Sequence, residues 1–575
     1  MLSIETAIHS LYPGFRDKPA VISRPLIALL RRVLHEHELN TFFKQHPEEG
    51  MPFIEAVLSH LDVSYSVDQN EIENIPAMGK LIIASNHPMG ALDAFSLIHL
   101  VSRTRQNGRV KIVANQVLMQ VPQLKEMLIP VDNMTGKLSK KSMRLIEEAL
   151  EQEAVVIFFP AGEVARFRPW GVSDYRWKKG FLTFARKTST AILPIYIHAR
   201  NSALFYITSA IYKPLGTLLL PHEIFKARHA RLRMKIGELI HSRVIQSPNL
   251  SLNNHAKMFR KHLYRISREK SPIYHTECCI AHPEKRQLLR EELKQAEQIG
   301  ESPDGKKIYL ATYKSAPSLM REIGRLREYT FRMVDEGTGK KRDLDRYDRH
   351  YKHIVLWDDD ALEVVGAYRI AESAEIVQTV GKSGLYMHEL CHLHSRFQKE
   401  YLPQAIELGR SFVQPRYWGS NALDYLWHGI GSYLRQHPEV RYMYGPVSIS
   451  HTYPQAAKNA LVYFYTHYFR KTSKLLQGKE PFRISEAERE ALSALFTGND
   501  FDNDFKILRS YLKALNVSVP TLYKQYSDLC EQGGFQIADF GIDREFGNCI
   551  DGYVIADVSK IKEKKRLRYI KPHSD

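Results

Sequence analysis

A histidine and a carboxylate facing each other across a tight turn can take a proton from a hydroxyl, and the sequence holds such a pair in His87 and Asp93, with five residues between them. A carboxylate on one imidazole nitrogen fixes the tautomer and leaves the other nitrogen to act as a general base. Asn86, directly before the histidine, is a further polar group for substrate. A second turn, Phe158-Phe159-Pro160-Ala161-Gly162-Glu163-Val164-Ala165-Arg166, carries a carboxylate and, three residues on, a guanidinium. Gly162, Glu163 and Arg166 are its candidate substrate-contacting residues, with a purely structural Glu163–Arg166 ion pair as the other reading.

Both turns need elements to hold them. The apolar run 81–84 reads as a buried strand that Pro88 ends, so His87 falls at a strand terminus near the surface. Asp93 opens an apolar-periodic stretch through Phe95, Leu97, Ile98 and Val101, which sets it near a helix N-terminus. Residues 155–159 read as a second buried strand, 142–153 as a helix before it, and 110–114 as a further strand. This alternation predicts an α/β sheet, in which ligands gather at the carboxyl ends of the strands.

The second half of the chain has its own pattern. A helix over 319–332 is rich in arginine, and Asp343, Asp345 and Asp348 follow it closely. Two strand signals, 364–370 and 407–413, each place ionisable residues in an apolar run: Arg369 in the first, Glu407 and Arg410 in the second. Charges in such strands need partners, so Glu407 paired with Arg410 or Arg369 is the second candidate site. The predicted domains are 1–270 and 306–575, joined by a polar linker with a charged helix over 271–305. Within that linker, His275-x-x-Cys278-Cys279-x-x-His282 has ligand types for zinc, but adjacent cysteines fit one tetrahedral site poorly, and no metal is expected.

At 575 residues the chain exceeds the roughly 250–300 residues a single core supports. Its 44% hydrophobic and 25% charged content is that of a globular protein. Five cysteines offer no disulfide framework. A net charge of +17 calls for an acidic partner, and no nucleic-acid-binding motif accompanies it. No secretory leader is expected, because the start lacks a basic-then-apolar order. The most apolar segment, 202–221, is broken by Lys213-Pro214 and Gly216, and reads as an interfacial element or a buried helix pair.

Asn-His-Pro-x-Gly-x-x-Asp at 86–93, Phe-Pro-x-Gly-Glu at 159–163 and Ile-Leu-Pro-Ile-Tyr-Ile at 192–197 resemble the glycerolipid acyltransferase superfamily. The five-residue spacing and the Gly-Glu order match its hemolysin-like branch, which includes ornithine lipid O-acyltransferases. The arginine-rich helix, Asp-x-Asp-x-x-Asp, Val-Gly-x-Tyr-Arg-Ile and Glu-x-Gly-Arg-Ser resemble acyl-homoserine-lactone synthases and, more closely, ornithine N-acyltransferases of the GNAT superfamily. Together they resemble bifunctional ornithine lipid synthases. The resemblance implies an α/β chain of two domains, an N-terminal glycerolipid acyltransferase-like fold and a C-terminal GNAT-like mixed fold. It also implies a C-terminal domain that N-acylates ornithine with a 3-hydroxyacyl group, with Glu407 as base. Asp343, Asp345 and Asp348 would hold the side-chain cation, and Arg369 or Arg410 the carboxylate. The N-terminal domain would then O-acylate the lyso-ornithine lipid through His87 and Asp93. Arg416-Tyr417-Trp418-Gly419-Ser420 replaces the usual acyl-CoA loop, which points to acyl carrier protein as donor. No cofactor is implied, and the work site is the cytoplasmic face of a bacterial inner membrane, held peripherally. Glycine or lysine as the amino acid, a glycerolipid acyltransferase with a structural second domain, and a non-enzymatic membrane-surface protein remain open.

Overall fold

The computed structural model describes residues 20–33, 35–105, 107–131, 139–169, 171–246, 250–470 and 474–570. The chain divides into two compact units, Met1–His282 and Pro283–Asp575, and both mix helices with sheet. None of the described helices is long and apolar enough to cross a membrane.

The N-terminal unit contains β1 (Ser64–Ser66), β2 (Leu81–Ser85), β3 (Val110–Asn115), β4 (Leu128–Val131), β5 (Val155–Phe158), β6 (Arg166–Arg168), β7 (Gly171–Ser173), β8 (Ile192–His198) and β9 (Arg231–Ile236). Seven of them form one sheet in the order β1-β9-β8-β2-β5-β3-β4, parallel except where β9 runs against β8; β6 and β7 make a separate hairpin. All five residues of β2 are buried, as expected of a central parallel strand covered on both faces. Leu81 and Ile83 pack with Leu97, Ile98 and Val101 on one face. On the other, Ile82 and Ala84 pack with Ile146, Leu150, Phe181 and Phe259. Because β5 and β8 flank β2 in parallel, three strands end at one edge, and His87 stands there.

The C-terminal unit contains β10 (Glu297–Glu301), β11 (Lys307–Thr312), β12 (Lys352–Asp358), β13 (Glu363–Glu372), β14 (Cys391–Leu393), β15 (Ala405–Val413), β16 (Tyr442–Ile449), β17 (Leu476–Gly478), β18 (Phe535–Asp543) and β19 (Cys549–Asp557). Eight of them form a sheet in the order β10-β11-β12-β13-β15-β16-β19-β18. Its one parallel pair, β15 and β16, is joined only from Ala405 opposite Tyr442 to Glu407 opposite Tyr444. Beyond that point β15 follows β13 while β16 follows β19, so the two strands part. Gly445 marks the divergence: a Cβ there would come within 2.0 Å of the Leu408 carbonyl oxygen. At the parting, β15 bulges and Arg410 takes a left-handed φ of 49°.

Residues 271–305 are not a free linker. Leu239 bridges to Glu277, and buried Tyr274 bonds to His255, so the first part belongs to the N-terminal unit. Cys279 and His282, two of the four potential zinc ligands, instead donate to the carbonyls of Asn74 and Ile75. From Pro283 the chain joins the C-terminal unit as helix Arg286–Leu293 and edge strand β10, which pairs with β11. Polar composition misled here because an edge strand and a surface helix are themselves polar.

Candidate active sites

His87 Nδ1–H donates to Asp93 Oδ2 at 3.1 Å, and the same oxygen accepts the backbone N–H groups of Met89 (2.7 Å) and Gly90 (3.0 Å). Asp93 lies in the first turn of helix Ala91–Thr104, where orphan N–H groups and the helix dipole favour a carboxylate. The imidazole stacks on Phe159 with ring centroids 3.9 Å apart. Its side chain keeps 18% exposure, against 0% for Asp93. Among the described residues Nε2 has no partner, so the basic nitrogen faces the open side.

A second carboxylate supports this loop from outside the motif. Asp174 accepts the His87 backbone N–H at 3.2 Å and Trp177 Nε1–H at 2.9 Å. Its own N–H donates to Tyr264 Oη, and its carbonyl accepts from Arg260 Nη2, both at 2.9 Å. Burial pushes its carboxyl up to about 6, against the pull of these donors. Asn201 Nδ2 closes the loop by donating to the Pro88 carbonyl at 3.1 Å.

The other predicted residues of this turn have structural roles. The Asn86 amide accepts from Ile197 N (2.7 Å) and donates to Ile197 O (2.9 Å), clamping the end of β2 to β8 instead of facing a ligand. Glu163 lies 3.5 Å from Arg166 Nε and 2.7 Å from Lys213 Nζ. Arg166 is buried, bonded to Ser209 and Thr217, and its pKa is lowered by that burial. The pair therefore pins hairpin β6–β7 to the helices that follow β8. Gly162 has φ +68°, a conformation that favours glycine.

In the C-terminal unit, Glu407 pairs with neither arginine. It is sealed where β15 and β16 part, accepting from Tyr351 Oη (2.9 Å), Tyr444 Oη (3.2 Å) and Met387 N (2.8 Å). Burial pushes it up to about 7 in spite of these donors. Arg369 Nη1 donates to both carboxylate oxygens of Asp345 at 2.7 Å and to Asp348 at 3.2 Å. Arg327, buried on helix Pro317–Arg332, contacts Asp343 at 3.1 Å and Asp348 at 2.9 Å, and His353 adds a third contact to Asp348 at 3.1 Å. Arg410 lies 3.2 Å from Asp343, over the rings of Tyr386 and Phe546. Burial would raise the Asp345 and Asp348 carboxyls, but the surrounding guanidinium groups hold both below their ordinary value.

Residues 17–270 match the family model described as acyltransferase, and residues 326–428 match the acetyltransferase (GNAT) domain model. A glycine N(alpha)-acyltransferase of Bacteroides thetaiotaomicron is 34% identical over 303 residues, covering 51% of this chain and 89% of the relative. A lyso-glycine lipid O-acyltransferase of Phocaeicola vulgatus is 33% identical over 226 residues, covering 38% and 80%. The chain belongs to the aminolipid acyltransferases. An L-ornithine N(alpha)-acyltransferase of Rhodobacter capsulatus is more distant, at 27% identity over 235 residues, with 40% of this chain and 79% of the relative covered.

In this aminolipid acyltransferase, Asp343, Asp345 and Asp348, foreseen as partners for a substrate cation, lie among the protein's own cations. All three carboxylates are engaged by the protein's own arginines, because three guanidinium groups buried in one place require three counter-charges. Sequence reasoning also missed Asp174, Phe159, Asn201 and Arg327. Asp174 and Trp177, three residues apart, offer no motif, and the fold alone carries them to His87.

Proposed function

We propose that the chain is a bifunctional glycine lipid synthase. In the GNAT unit, the amine of glycine attacks the thioester of a 3-hydroxyacyl chain; the C–N bond forms, the C–S bond breaks, and a thiol leaves. In the N-terminal unit, His87 Nε2 takes the proton of the new 3-hydroxyl as its oxygen attacks a second acyl thioester. The imidazolium then returns that proton to the departing thiolate. Asp93 holds the imidazole in the required tautomer.

The observation that carries this reading is one polypeptide with similarity to both an N-acyltransferase and an O-acyltransferase of glycine lipids, together with the His87–Asp93 pair at a strand end. The engaged aspartates favour glycine, which has no side-chain cation to be held. Ornithine is the second reading, supported by the more distant relative and by Asp345, whose side chain keeps 21% exposure. For N-acylation, the ammonium proton of the amino acid needs an acceptor. Glu407 has a matched pKa, and the Tyr351 and Tyr444 hydroxyls on it supply a relay. Arg410, whose guanidinium meets Tyr386 and Asp343 and lies 3.9 Å from Asp345, suits the carboxylate. Acyl carrier protein is the donor that a basic chain favours, and the amphiphilic product favours work at the cytoplasmic face of the inner membrane.

The test is expression of wild type, His87→Ala and Glu407→Gln in bacteria lacking aminolipids, followed by mass spectrometry of the lipid extract. Wild type should yield a diacylated glycine lipid, His87→Ala only the mono-acyl species, and Glu407→Gln little of either. An ornithine headgroup mass would select the second reading. No aminolipid, with a rise in phosphatidic acid, would overturn both.

A further inference from the structure

Helix Ala203–Ile211, sequence ALFYITSAI, has no charged residue. Its inner face is anchored: Phe205 and Ser209 are buried, and Glu223 accepts from Ser202 N and Oγ at the start of the helix. Its outer face is also apolar. Leu204, Ile207 and Ile211, spaced to form one stripe, are 48%, 59% and 81% exposed, and Tyr212 follows at 59%. A helix on the surface of a water-soluble domain turns polar residues outward, and a continuous exposed aliphatic stripe marks an interaction face. Phe167, 64% exposed, stands on the hairpin that Arg166 ties to this helix through Ser209. The charged residues bordering the stripe in sequence, Arg200 and Lys213, are both exposed and basic, Lys213 while paired with Glu163.

We propose that this stripe is the surface by which the N-terminal unit lies on an anionic lipid bilayer, with Leu204, Ile207 and Ile211 sunk among the acyl chains and the bordering cations on the headgroups. The occupant follows from the chemistry: aliphatic side chains edged by positive charge match a membrane interface that is apolar inside and negative outside. The position agrees. Asn201, two residues before the helix, is bonded to the carbonyl of Pro88, so the stripe is fixed to the loop that carries His87. A lyso-lipid lying in the same leaflet then reaches the imidazole without leaving the bilayer. This rests on the reading of the N-terminal unit as an O-acyltransferase of a lipid.

The experiment is sedimentation of the full chain with vesicles containing phosphatidylglycerol or made of phosphatidylcholine alone. Wild type should pellet with the anionic vesicles, less with the neutral ones, and less as salt rises from about 0.1 M to about 1 M, where the Debye length falls from about 10 Å to about 3 Å. The double variant I207E/I211E should bind at least about tenfold more weakly. The neutral I207Q/I211Q should also weaken binding with an unchanged thermal midpoint, which separates lost insertion from lost folding. Both variants should keep wild-type O-acylation of a short-chain, water-soluble N-(3-hydroxyacyl)glycine while losing turnover of vesicle-borne lyso-lipid. Vesicle binding equal to wild type in both variants would overturn the proposal. So would a concentration-dependent dimer in light scattering that the variants abolish, since the stripe would then cover a second copy. Stripe-dependent pelleting of a wild type that acylates nothing would leave the surface standing and remove the enzymatic reading instead.

Discussion

Asp174 is the residue at which a wrong account of the histidine loop would show most directly. Its carboxyl sits at about 6 in the fold, against an ordinary value of 3.8. The sign follows: the folded state binds the proton more tightly than the unfolded chain, so stability is greatest at low pH and is lost as pH rises from about 4 to about 6. A gap of about 2 units corresponds to about 3 kcal/mol. Asp174→Asn removes the charge and therefore that dependence. The amide offers one acceptor oxygen where His87 N–H and Trp177 Nε1–H need two, leaving one buried donor unmade at a cost of about 1–3 kcal/mol. At pH 4.5 the variant should be the less stable protein. By pH 7.5 the difference should have moved by about 2 kcal/mol in its favour, to parity or beyond, because at pH 4.5 about two thirds of the full gap is still in force. Thermal midpoints of both proteins across this range, followed by tryptophan fluorescence, measure the crossing. A gap constant with pH would refute the reasoning, because Asp174 would then not be the closed, destabilised carboxylate beneath His87.

Three other perturbations have defined outcomes. Asp93→Asn keeps the size of the side chain but presents an amide to His87 Nδ1 and two backbone N–H groups; O-acyl transfer should fall by about 100-fold or more while N-acyl transfer is untouched, measured as accumulation of mono-acyl lipid. Asn86→Ala cuts both side-chain bonds to Ile197 of β8, so the thermal midpoint should drop by the equivalent of about 1–3 kcal/mol, with residual O-acylation showing that the amide is a clamp and not a ligand. If Glu407 accepts the amine's proton, kcat/KM for N-acylation rises with pH through about 7, where the carboxylate forms; Glu407→Gln should remove that limb, and an unchanged pH profile would assign the base elsewhere.

The N-terminal site was legible because its key pair is local. His87 and Asp93 span seven residues of one strand–turn–helix, so spacing alone places a carboxylate beside the imidazole. Asp174 lies 87 residues downstream of His87, and its approach depends on the β6–β7 hairpin folding back, which no periodicity encodes. In the C-terminal unit the rule that buried charges need partners singled out Arg369, Arg410 and Glu407, but it did not say which group pairs with which. Register decides that. Glu407 stands opposite Ala371, and Arg369 opposite Gly409. The bulge at Arg410 alters the alternation of β15, and Arg327 enters from a helix to engage two of the aspartates. Glu407 is left with tyrosine hydroxyls and one backbone N–H, which offset only part of the burial that raises its pKa, whereas an arginine ion pair would have offset more. A carboxylate poised near neutrality is suited to accept a proton from an ammonium, and an arginine-bound one is not. The misassigned pairing is therefore the feature that gives this site its chemical potential.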